Sequence, residues 1–319
     1  MIRISSDEPM PTALRGAVIA LGNFDGFHAG HQAVVGRAIA LARAENRPII
    51  VATFDPHPAR LFQPDAPPFR LTTLDQREAL FGEVGADAML VFHFNAELAA
   101  KSADEFVTML AQDLGAAAVV TGEDFTFGKA RSGNVSVLND LGAAHGLRAL
   151  AVPAVHDEEG AIISSSRIRA ALARGDCAGA AHLLTRPFTL RGEIIHGDKL
   201  GREIGFPTAN MMLGNYVRPA YGIYAVMARL PDGRVMPGAA NLGIRPTFDP
   251  PKELFETYVF DFSENLYGQT IEVALIEFLR GEGKFDSLEA MVVQMDKDVL
   301  RARDILRDRV GFLGEVGGI

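Results

Sequence analysis

The segment Gly22-Asn23-Phe24-Asp25-Gly26-Phe27-His28-Ala29-Gly30-His31 joins two stretches of different hydrophobic periodicity. Residues 17–21 before it form an apolar run that predicts a buried strand, and residues 32–40 after it predict a helix. A strand that runs through a glycine-rich turn into a helix is typical of an open parallel sheet, which binds ligands at the carboxyl ends of its strands. The helix N-terminus adds backbone N–H groups that favour an anion. We therefore predict that the first half of the chain binds its ligand at this turn.

Strand and helix patterns alternate from residue 1 to about residue 183. Helical stretches begin at capping sequences near Thr73 and Ser102, and glycines at positions 85 and 115 should end them. Further predicted strands cover residues 48–54, 87–92, 118–120 and 147–152. Short connections between alternating elements predict an α/β domain with a parallel sheet covered on both faces, and we assign it residues 1–183.

The pattern changes after residue 187, where helical periodicity gives way to short β-rich runs separated by turns. These runs predict a small antiparallel β-barrel. They cover residues 189–195, 222–228, 256–262 and 270–278. A C-terminal helix should begin after Ser287 and pack its apolar stripe on the barrel. This second domain is predicted to span residues 184–319. The stripe comprises Leu288, Met291, Val292, Met295, Val299, Ile305 and Leu306.

Composition restricts the classes of partner. The formal net charge of −9 argues against extended nucleic acid, whose binding depends on neutralising phosphates. The single cysteine, Cys177, excludes an internal disulfide and a multi-cysteine metal site. Neither a signal-like segment nor an apolar run of bilayer length occurs in the sequence, so we expect no membrane association and a cytoplasmic location.

Two histidines close the first turn. His28 and His31 are three positions apart at the start of the predicted helix, so both rings can face one phosphate. Such a pair would stabilise charge on a phosphoryl group in transfer, and Gly30 would allow close backbone approach. Two other interpretations stay open: a zinc site that also uses His57, and a pair of solvated surface histidines.

Two more clusters in this half suit a phosphorylated ligand. Residues 163–169 place serine hydroxyls and arginines at a predicted helix start, where they would bind a triphosphate or simply cap the helix. Residues 122–133 follow a strand and combine two phenylalanines with an arginine, which suits a planar ligand unless the rings pack inward. The glycine spacing of residues 22–30 does not fit the dinucleotide fingerprint, which needs Gly-x-Gly-x-x-Gly. Residues 122–130 do not fit the P-loop motif.

The second domain has its own glycine-rich segment, which ends in Phe206-Pro207-Thr208-Ala209-Asn210. The Thr208 hydroxyl and the Asn210 amide suit a Mg²⁺–nucleotide complex, because Mg²⁺ takes few protein oxygens and several phosphate oxygens. The alternative is a glycine-rich hairpin with Asn210 in a turn. Further along, Glu256 is a candidate general base on a predicted strand, unless it faces outward. Tyr258 shares its strand face.

Together these segments resemble the bacterial bifunctional riboflavin kinase/FAD synthetase family. Residues 22–31, 53–58, 122–133 and 163–169 resemble the adenylyltransferase half, and residues 197–210, 241–247 and 254–268 resemble the kinase half. The resemblance implies a Rossmann-like nucleotidyltransferase domain followed by a riboflavin kinase barrel with a C-terminal helix. It implies that riboflavin and ATP give FMN and ADP, and that FMN and a second ATP give FAD and diphosphate.

The resemblance also implies roles for particular residues. Catalytic residues would be His28 and His31 in the first domain and Glu256 in the second. In the adenylyltransferase, ATP would be bound by Gly22, Phe24, Asp25, Gly26, His28, His31, Ser164, Ser165 and Arg169. Its flavin would be bound by Asp124, Phe125, Phe127 and Arg131. In the kinase, ATP would be bound by Gly197, Gly201, Gly205, Thr208 and Asn210, with the metal on Thr208 and Asn210.

Two positions depart from the family pattern. Ser166 stands where the family usually has threonine, which keeps a hydroxyl, and Tyr258 stands where it typically has histidine, beside the candidate base. Because of Tyr258, a barrel that only binds flavin is one alternative function. An RNA-binding protein is another, since similar histidine–glycine turns occur in tRNA-charging enzymes and barrels often bind RNA, but the acidic charge argues against it. The expected partners are riboflavin, FMN, FAD and ATP with Mg²⁺, without nucleic acid or membrane. A homo-oligomer is compatible with the sequence.

Overall fold

The computed structural model describes residues 1–196, 204–245 and 252–307. Its chain forms two compact units. The first comprises Met1–Pro67 and Leu74–Ser164, and the second comprises Pro68–Thr73 and Ser165–Ile319. In the part of the chain that the structure describes, no helix is both long and apolar enough to span a membrane.

The first unit is built on a sheet of six parallel strands in the order β1-β4-β3-β2-β5-β6. The strands are β1 (Ile2–Ser5), β2 (Val18–Leu21), β3 (Ile49–Asp55), β4 (Ala88–His93), β5 (Ala118–Gly122) and β6 (Arg148–Val152). The helices are α1 (Ala29–Ala44), α2 (Pro58–Phe62), α3 (Leu74–Glu83), α4 (Ala96–Ala100), α5 (Ala103–Thr108) and α6 (Val135–Ala143). This architecture confirms the predicted α/β fold.

Apolar side chains cover both faces of this sheet, as a parallel sheet requires. On the fully buried strand β2, Ile19 and Leu21 belong to one apolar cluster, and Val18 and Ala20 belong to another. The alternation follows from the two-residue period of a strand. Helix α1 packs on the side that Val18 and Ala20 face, through residues such as Val35. The core therefore holds the carboxyl end of β2 rigidly in place.

The predicted helix boundaries follow local signals. Ser102 caps α5 with a complete capping box, because its side chain accepts from the Glu105 N–H while the Glu105 carboxylate accepts from the Ser102 N–H. Gly85 follows α3 with a φ of 93°, and Gly115 follows the α5 region with a φ of 65°. Both values lie in the left-handed region that glycine adopts without strain.

The second unit contains a sheet of six antiparallel strands in the order β7-β12-β9-β10-β11-β8. Its strands are β7 (Thr189–Glu193), β8 (Ala209–Met211), β9 (Gly222–Arg229), β10 (Val235–Arg245), β11 (Lys252–Val259) and β12 (Thr270–Gly281). A bridge between Ile195, just after β7, and Asn210 on β8 joins the two ends of the sheet. This closure confirms the predicted barrel.

The described residues of this unit also form three helices: α7 (Ser165–Ala173), α8 (Cys177–Leu184) and α9 (Leu288–Leu306). Ser287 caps α9 by accepting from the Ala290 N–H, as its position predicted. The C-terminal part of α9 packs on the barrel, where Leu306 joins an apolar cluster with β9 residues such as Met227. Leu288, the first residue of the predicted stripe, is 49% exposed instead.

Two strands of the barrel were missed in the sequence, and one was misplaced. Strand β10 contains Pro237 and Gly238, residues that weaken a strand assignment. Gly238 is required there, because a side-chain Cβ would lie 2.6 Å from the carbonyl oxygen of Tyr258 on the neighbouring strand. Strand β8 has only three residues and gives no periodic signal. The strand predicted for residues 256–262 begins four residues earlier and ends at Val259.

Candidate active sites

The first candidate site lies at a switch point of the parallel sheet. Strand β2 pairs with β3 on one side and with β5 on the other, and the order of the strands reverses between β2 and β5. Ligands bind open α/β sheets at such points. The Thr121 hydroxyl on β5 donates to the Leu21 carbonyl at the end of β2 over 2.9 Å. The turn after β2 and the loop after β5 therefore start from the same edge of the sheet.

The structure brings the two predicted histidines together. His28 is the N-cap of α1, and its Nδ1 accepts from the His31 backbone N–H over 3.4 Å. The two rings stack with centroids 3.6 Å apart. His28 is buried, and the Phe24 ring meets the edge of His31 at a centroid distance of 5.3 Å. Both imidazoles therefore lie at a helix N-terminus, which favours an anion.

Glycines shape this turn in ways that the sequence only partly predicted. A Cβ on Gly30 would lie 3.2 Å from the His28 ring, so this glycine makes room for an imidazole of the site itself. A Cβ on Gly22 would lie 3.0 Å from the Phe24 ring, and Gly26 has a φ of 89°. Asp25 between them is buried. There is therefore little space for a side chain at Gly22 or Gly30, and the backbone of Gly26 has a conformation that favours glycine.

A buried polar cluster that the sequence did not reveal supports the same turn. Arg77 on α3 donates through Nη1 to the Thr53 hydroxyl over 2.7 Å and to the Asn23 carbonyl over 3.2 Å. The Thr53 hydroxyl donates to the same carbonyl over 2.8 Å. Arg77 is only 2% exposed, which is unusual for arginine. An arginine in a helix of low amphipathicity gave no signal in the sequence that it would be buried.

Aromatic packing against the same helix, α3, also holds the turn. Phe24 and Phe27 both have positive φ values, 48° and 43°, which cost a bulky residue conformational energy. Both rings pack against Phe81 of α3, with centroid distances of 5.9 Å and 5.1 Å. Backbone strain of this kind persists where surrounding contacts determine the conformation, and it is common at functional sites.

The predicted flavin-binding residues in the loop after β5 differ in how far they are buried. Phe127 packs into the core, with its ring 5.3 Å from that of Phe106, and a Cβ on Gly133 would lie 2.6 Å from the Phe127 ring. For this residue the inward-packing interpretation holds. Phe125 stacks on Phe127 at 5.8 Å and is half-buried, and Asp124 and Arg131 are exposed.

The serine–arginine cluster falls at the start of α7. Ser164 ends the first compact unit, and Ser165 begins α7 in the second. Arg169 is half-buried within the second unit, where its Nε donates to the Phe69 carbonyl over 2.7 Å. Its guanidinium lies 5.2 Å from the centroid of the Phe69 ring. The cluster is therefore divided in sequence between the two units, with Ser164 in the first and Ser165 and Arg169 in the second.

The second candidate site is a cavity of about 650 Å³ within the barrel unit. Thr208, Asn210, Glu256 and Tyr258 all line it. Strand register explains this arrangement, because Asn210 on β8 lies directly opposite Glu256 on β11. The structure thus places Thr208, Asn210 and Glu256 around one cavity, whereas Gly205 is not among the residues that line it. Gly205 is exposed with a φ of 89°, and Gly197 and Gly201 lie outside the described residues.

The amide of Asn210 suits a hard cation. Its Nδ2 donates to the Thr208 carbonyl over 3.4 Å, which orients the side chain. Its Oδ1 is buried and accepts no hydrogen bond from the described residues. An oxygen donor of this kind, in the same cavity wall as Thr208, fits the ligand preference of Mg²⁺. In the described ranges, no group of three or more His, Cys, Asp or Glu residues is arranged to hold a metal.

Tyr258 is held in the cavity wall by aromatic neighbours. Its ring meets Phe206 at 5.5 Å and Phe260 at 5.6 Å, both edge to face. The Arg303 guanidinium lies 4.4 Å from the Phe260 centroid. Tyr258 therefore contributes an ordered aromatic surface two residues from Glu256.

An ion pair that the sequence did not reveal fixes another wall of the cavity. Arg280 at the end of β12 donates to Asp298 on α9 through Nε over 3.1 Å and through Nη2 over 2.7 Å. Gln294 donates to the same carboxylate over 3.0 Å. Arg280 and Asp298 line the cavity, whereas Gln294 does not, and Asp298 is buried. This pair ties α9 to the barrel beside the site.

Comparisons with known proteins agree with this arrangement. A family model described as FAD synthetase matches residues 10–167, and one described as riboflavin kinase matches residues 184–306. A solved structure described as a macrolide-efflux protein from Streptococcus pneumoniae is 31% identical, with a TM-score of 0.84, and the match covers 97% of this chain and 99% of that one. This similarity supports the fold of the present chain. The efflux function named in the description applies to the Streptococcus pneumoniae protein alone.

Curated relatives match almost the whole chain. The bifunctional riboflavin kinase/FMN adenylyltransferase of Escherichia coli (strain K12) is 38% identical over 290 residues, which is 91% of this chain and 92% of the relative. The enzyme with the same description from Pseudomonas fluorescens is 39% identical over 291 residues, which is 91% of this chain and 93% of the relative. This chain therefore belongs to the family of bifunctional riboflavin kinase/FMN adenylyltransferases.

Proposed function

We propose that the two activities of this enzyme act in sequence and that each belongs to one half of the chain, divided at residues 183/184. The C-terminal half transfers the γ-phosphoryl group of ATP to riboflavin, giving FMN and ADP. The N-terminal half joins FMN to the AMP part of a second ATP, giving FAD and diphosphate. The observation that carries the proposal is the direct pairing of Glu256 with Asn210 in a cavity large enough for a flavin.

In the kinase step, Glu256 accepts the proton of the terminal hydroxyl as that oxygen attacks the γ-phosphorus. Thr208 and Asn210 would hold Mg²⁺ together with the ATP phosphates. Gly205 would lie along the nucleotide, and the same role is assigned to Gly197 and Gly201, which lie outside the described residues. Bound Mg²⁺ would neutralise charge on the phosphates. The buried Asn210 Oδ1 supports the metal assignment, because it accepts no hydrogen bond from the described residues.

In the adenylyl transfer, His28 and His31 contact the ATP phosphates and stabilise the charge that develops on them. Their stacking at the N-terminus of α1 supports this role. The remaining nucleotide contacts are assigned to Gly22, Phe24, Asp25, Gly26, Ser164, Ser165 and Arg169. The flavin is bound by Asp124, Phe125 and Arg131, and Phe127 supports their loop from the core.

The partners are riboflavin, FMN, FAD and ATP with Mg²⁺. We further propose a cytoplasmic location, which suits a chain with one cysteine. The net charge of −9 supports the expectation that nucleic acid is not a partner. Sedimentation of the purified chain tests for a homo-oligomer, which would sediment with a mass that is a multiple of that of one chain.

One incubation tests the proposed pair of reactions. The full chain is mixed with riboflavin, ATP and Mg²⁺, and the flavins are separated at intervals. FMN should appear first and FAD afterwards, and a metal chelator should stop both. Unchanged riboflavin with Mg²⁺ present would contradict the proposal, and accumulation of FMN without FAD would remove the second activity.

A further inference from the structure

A second amide lies on the other side of the proposed base. Asn241 on β10 pairs directly with Glu256 on β11, and Glu256 pairs in turn with Asn210 on β8. Residues directly opposite each other in an antiparallel sheet point to the same face, with Cβ atoms about 5 Å apart. Asn210, Glu256 and Asn241 therefore form one row across three strands, and all three line the cavity.

The Asn241 side chain has a polar atom that no described residue satisfies. Its Oδ1 is buried and accepts no hydrogen bond from the described residues, and the same holds for Asn210 Oδ1. Buried amide oxygens are nearly always paired, so an unpaired one in a cavity points to a donor that arrives with the ligand. The Asn210 oxygen is accounted for by the metal, whereas the proposed phosphoryl transfer gives Asn241 no role.

The surroundings of Asn241 favour a hydroxyl as that donor. Its other cross-strand neighbour is Ile223 on β9, and Ala239 precedes it by two residues on the same face. Both residues line the cavity and are apolar, unlike the Thr208 hydroxyl beside Asn210. With phosphates and metal assigned to the Asn210 side of Glu256, the polyol chain of the flavin falls on the Asn241 side.

We propose that Asn241 Oδ1 accepts a hydrogen bond from a secondary hydroxyl of the flavin's polyol chain and so orients the terminal hydroxyl toward Glu256. This inference rests on the assignment of Glu256 as the base. The terminal O–H proton passes to the Glu256 carboxylate, a bond forms between that oxygen and the γ-phosphorus, and the β–γ bridging P–O bond breaks to release ADP. Asn241 selects substrates that carry hydroxyls along the chain and not only at its end.

The test compares two substrates. Riboflavin carries the secondary hydroxyls, and a flavin with a 5-hydroxypentyl chain keeps only the terminal one. In the full chain, Asn241→Ala should lower kcat/KM for riboflavin by about tenfold to a hundredfold, the effect of a lost hydrogen bond to a buried group. With the pentyl analogue, the variant and the wild type should agree within about twofold. An equal loss on both substrates, or no loss on riboflavin, would overturn the inference.

Control variants separate this role from a structural one. Asn215→Ala removes an exposed amide of the same unit and should leave kcat/KM unchanged for both substrates. Asn241→Ala should still convert supplied FMN to FAD at the wild-type rate, which shows a folded chain. Should the alanine variant fail to fold, Asn241→Asp keeps the shape and an acceptor oxygen. It should retain the preference for riboflavin over the analogue even where its turnover falls, and loss of that preference would contradict the inference.

Failure of this inference and failure of the proposed function give different results. Full kinase activity in Glu256→Gln would remove the proposed base, whatever Asn241 does. An inactive Glu256→Gln together with a wild-type substrate preference in Asn241→Ala would leave the base in place and remove only the role of Asn241.

Discussion

The Nδ1 atom of His28 accepts a hydrogen bond from the His31 backbone N–H over 3.4 Å, and the two rings stack with centroids 3.6 Å apart. One imidazole thus caps a helix and also supports the ring of the second. Because His28 is both the helix cap and one of the two candidate catalytic histidines, its substitution affects both helix stability and chemistry. Variants must be chosen to separate these two effects.

His28→Asn makes that separation. Asparagine is among the best N-cap residues, so α1 should keep its stability, while the imidazole is lost. We expect conversion of FMN to FAD to fall by about 10²–10³-fold, as for removal of a group that stabilises transition-state charge. Steady-state rates with supplied FMN and ATP measure the effect. His145→Asn, at an exposed position of the same unit, should behave like the wild type, and so should riboflavin phosphorylation in both variants.

Glu256→Gln keeps the size of the side chain and removes the base. The rate of riboflavin phosphorylation should fall by about 10²–10⁴-fold, which is the usual contribution of general acid–base catalysis. The measurement is FMN formation from riboflavin and ATP. Glu289→Gln, which changes an exposed carboxylate on α9, serves as the matched control. A Glu256→Gln enzyme with near wild-type kcat would require another base.

Thr53→Val tests the buried cluster beneath the histidine turn. The hydroxyl accepts from Arg77 and donates to the Asn23 carbonyl, so its loss leaves buried polar groups with one partner fewer. We expect the free energy of unfolding of the first unit to fall by about 1–3 kcal/mol. Denaturant titration measures this change, with the exposed Thr126→Val as the control. FAD formation should decline more than riboflavin phosphorylation, and an equal decline in both would argue against a local role.

Asp298→Ala tests the ion pair in the kinase cavity. Arg280 would lose a carboxylate that it contacts through two nitrogens, and the tie between β12 and α9 would be broken. Because both side chains are largely buried, we expect a loss of about 2–3 kcal/mol in unfolding free energy, together with a raised KM for riboflavin. The exposed pair of Arg303 and Asp261 provides the control, since Asp261→Ala should leave KM unchanged. An unchanged KM for riboflavin in Asp298→Ala would show that the pair of Arg280 and Asp298 does not contribute to flavin binding.

The Cys177 thiol should be unreactive in the folded chain. Burial raises its pKa to about 12, and the Asp176 carboxylate adds to the shift. At pH 8 the thiolate fraction is then on the order of 10⁻⁴, so an aromatic disulfide reagent should react slowly until denaturant is added. Because the folded pKa is the higher one, this burial favours folding below the unfolded pKa, and the contribution is lost as pH rises toward 12. Rapid labelling of the native chain at pH 8 would contradict the buried placement.

Local signals in the sequence predicted much of the fold. The capping box at Ser102, the helix-ending glycines and the strongly apolar strand β2 each gave the structure that is observed, because each depends on neighbouring residues alone. Strand β10 was missed because Pro237 and Gly238 argue against a strand when read locally. Their place depends on Met227 and Tyr258 across the sheet, a tertiary relationship that a single sequence does not display.

The candidate sites follow the same rule. His28 and His31 are close in sequence, so helix geometry alone predicted their proximity. Glu256 and Asn210 were predicted separately, and only strand register shows that they are directly opposed. Arg77 was missed, and Asn241 was noted only within a segment that resembles the kinase half, because the position of each depends on burial and on partners from distant segments.

The product pattern of two variants tests the division of labour most directly. The flavins formed by His28→Asn from riboflavin, and by Glu256→Gln from riboflavin and from FMN, are separated by chromatography with ATP and Mg²⁺ present. We predict that His28→Asn accumulates FMN with little FAD, and that Glu256→Gln leaves riboflavin unchanged but converts FMN to FAD. Loss of FMN formation in His28→Asn, or loss of FAD formation from FMN in Glu256→Gln, would contradict it.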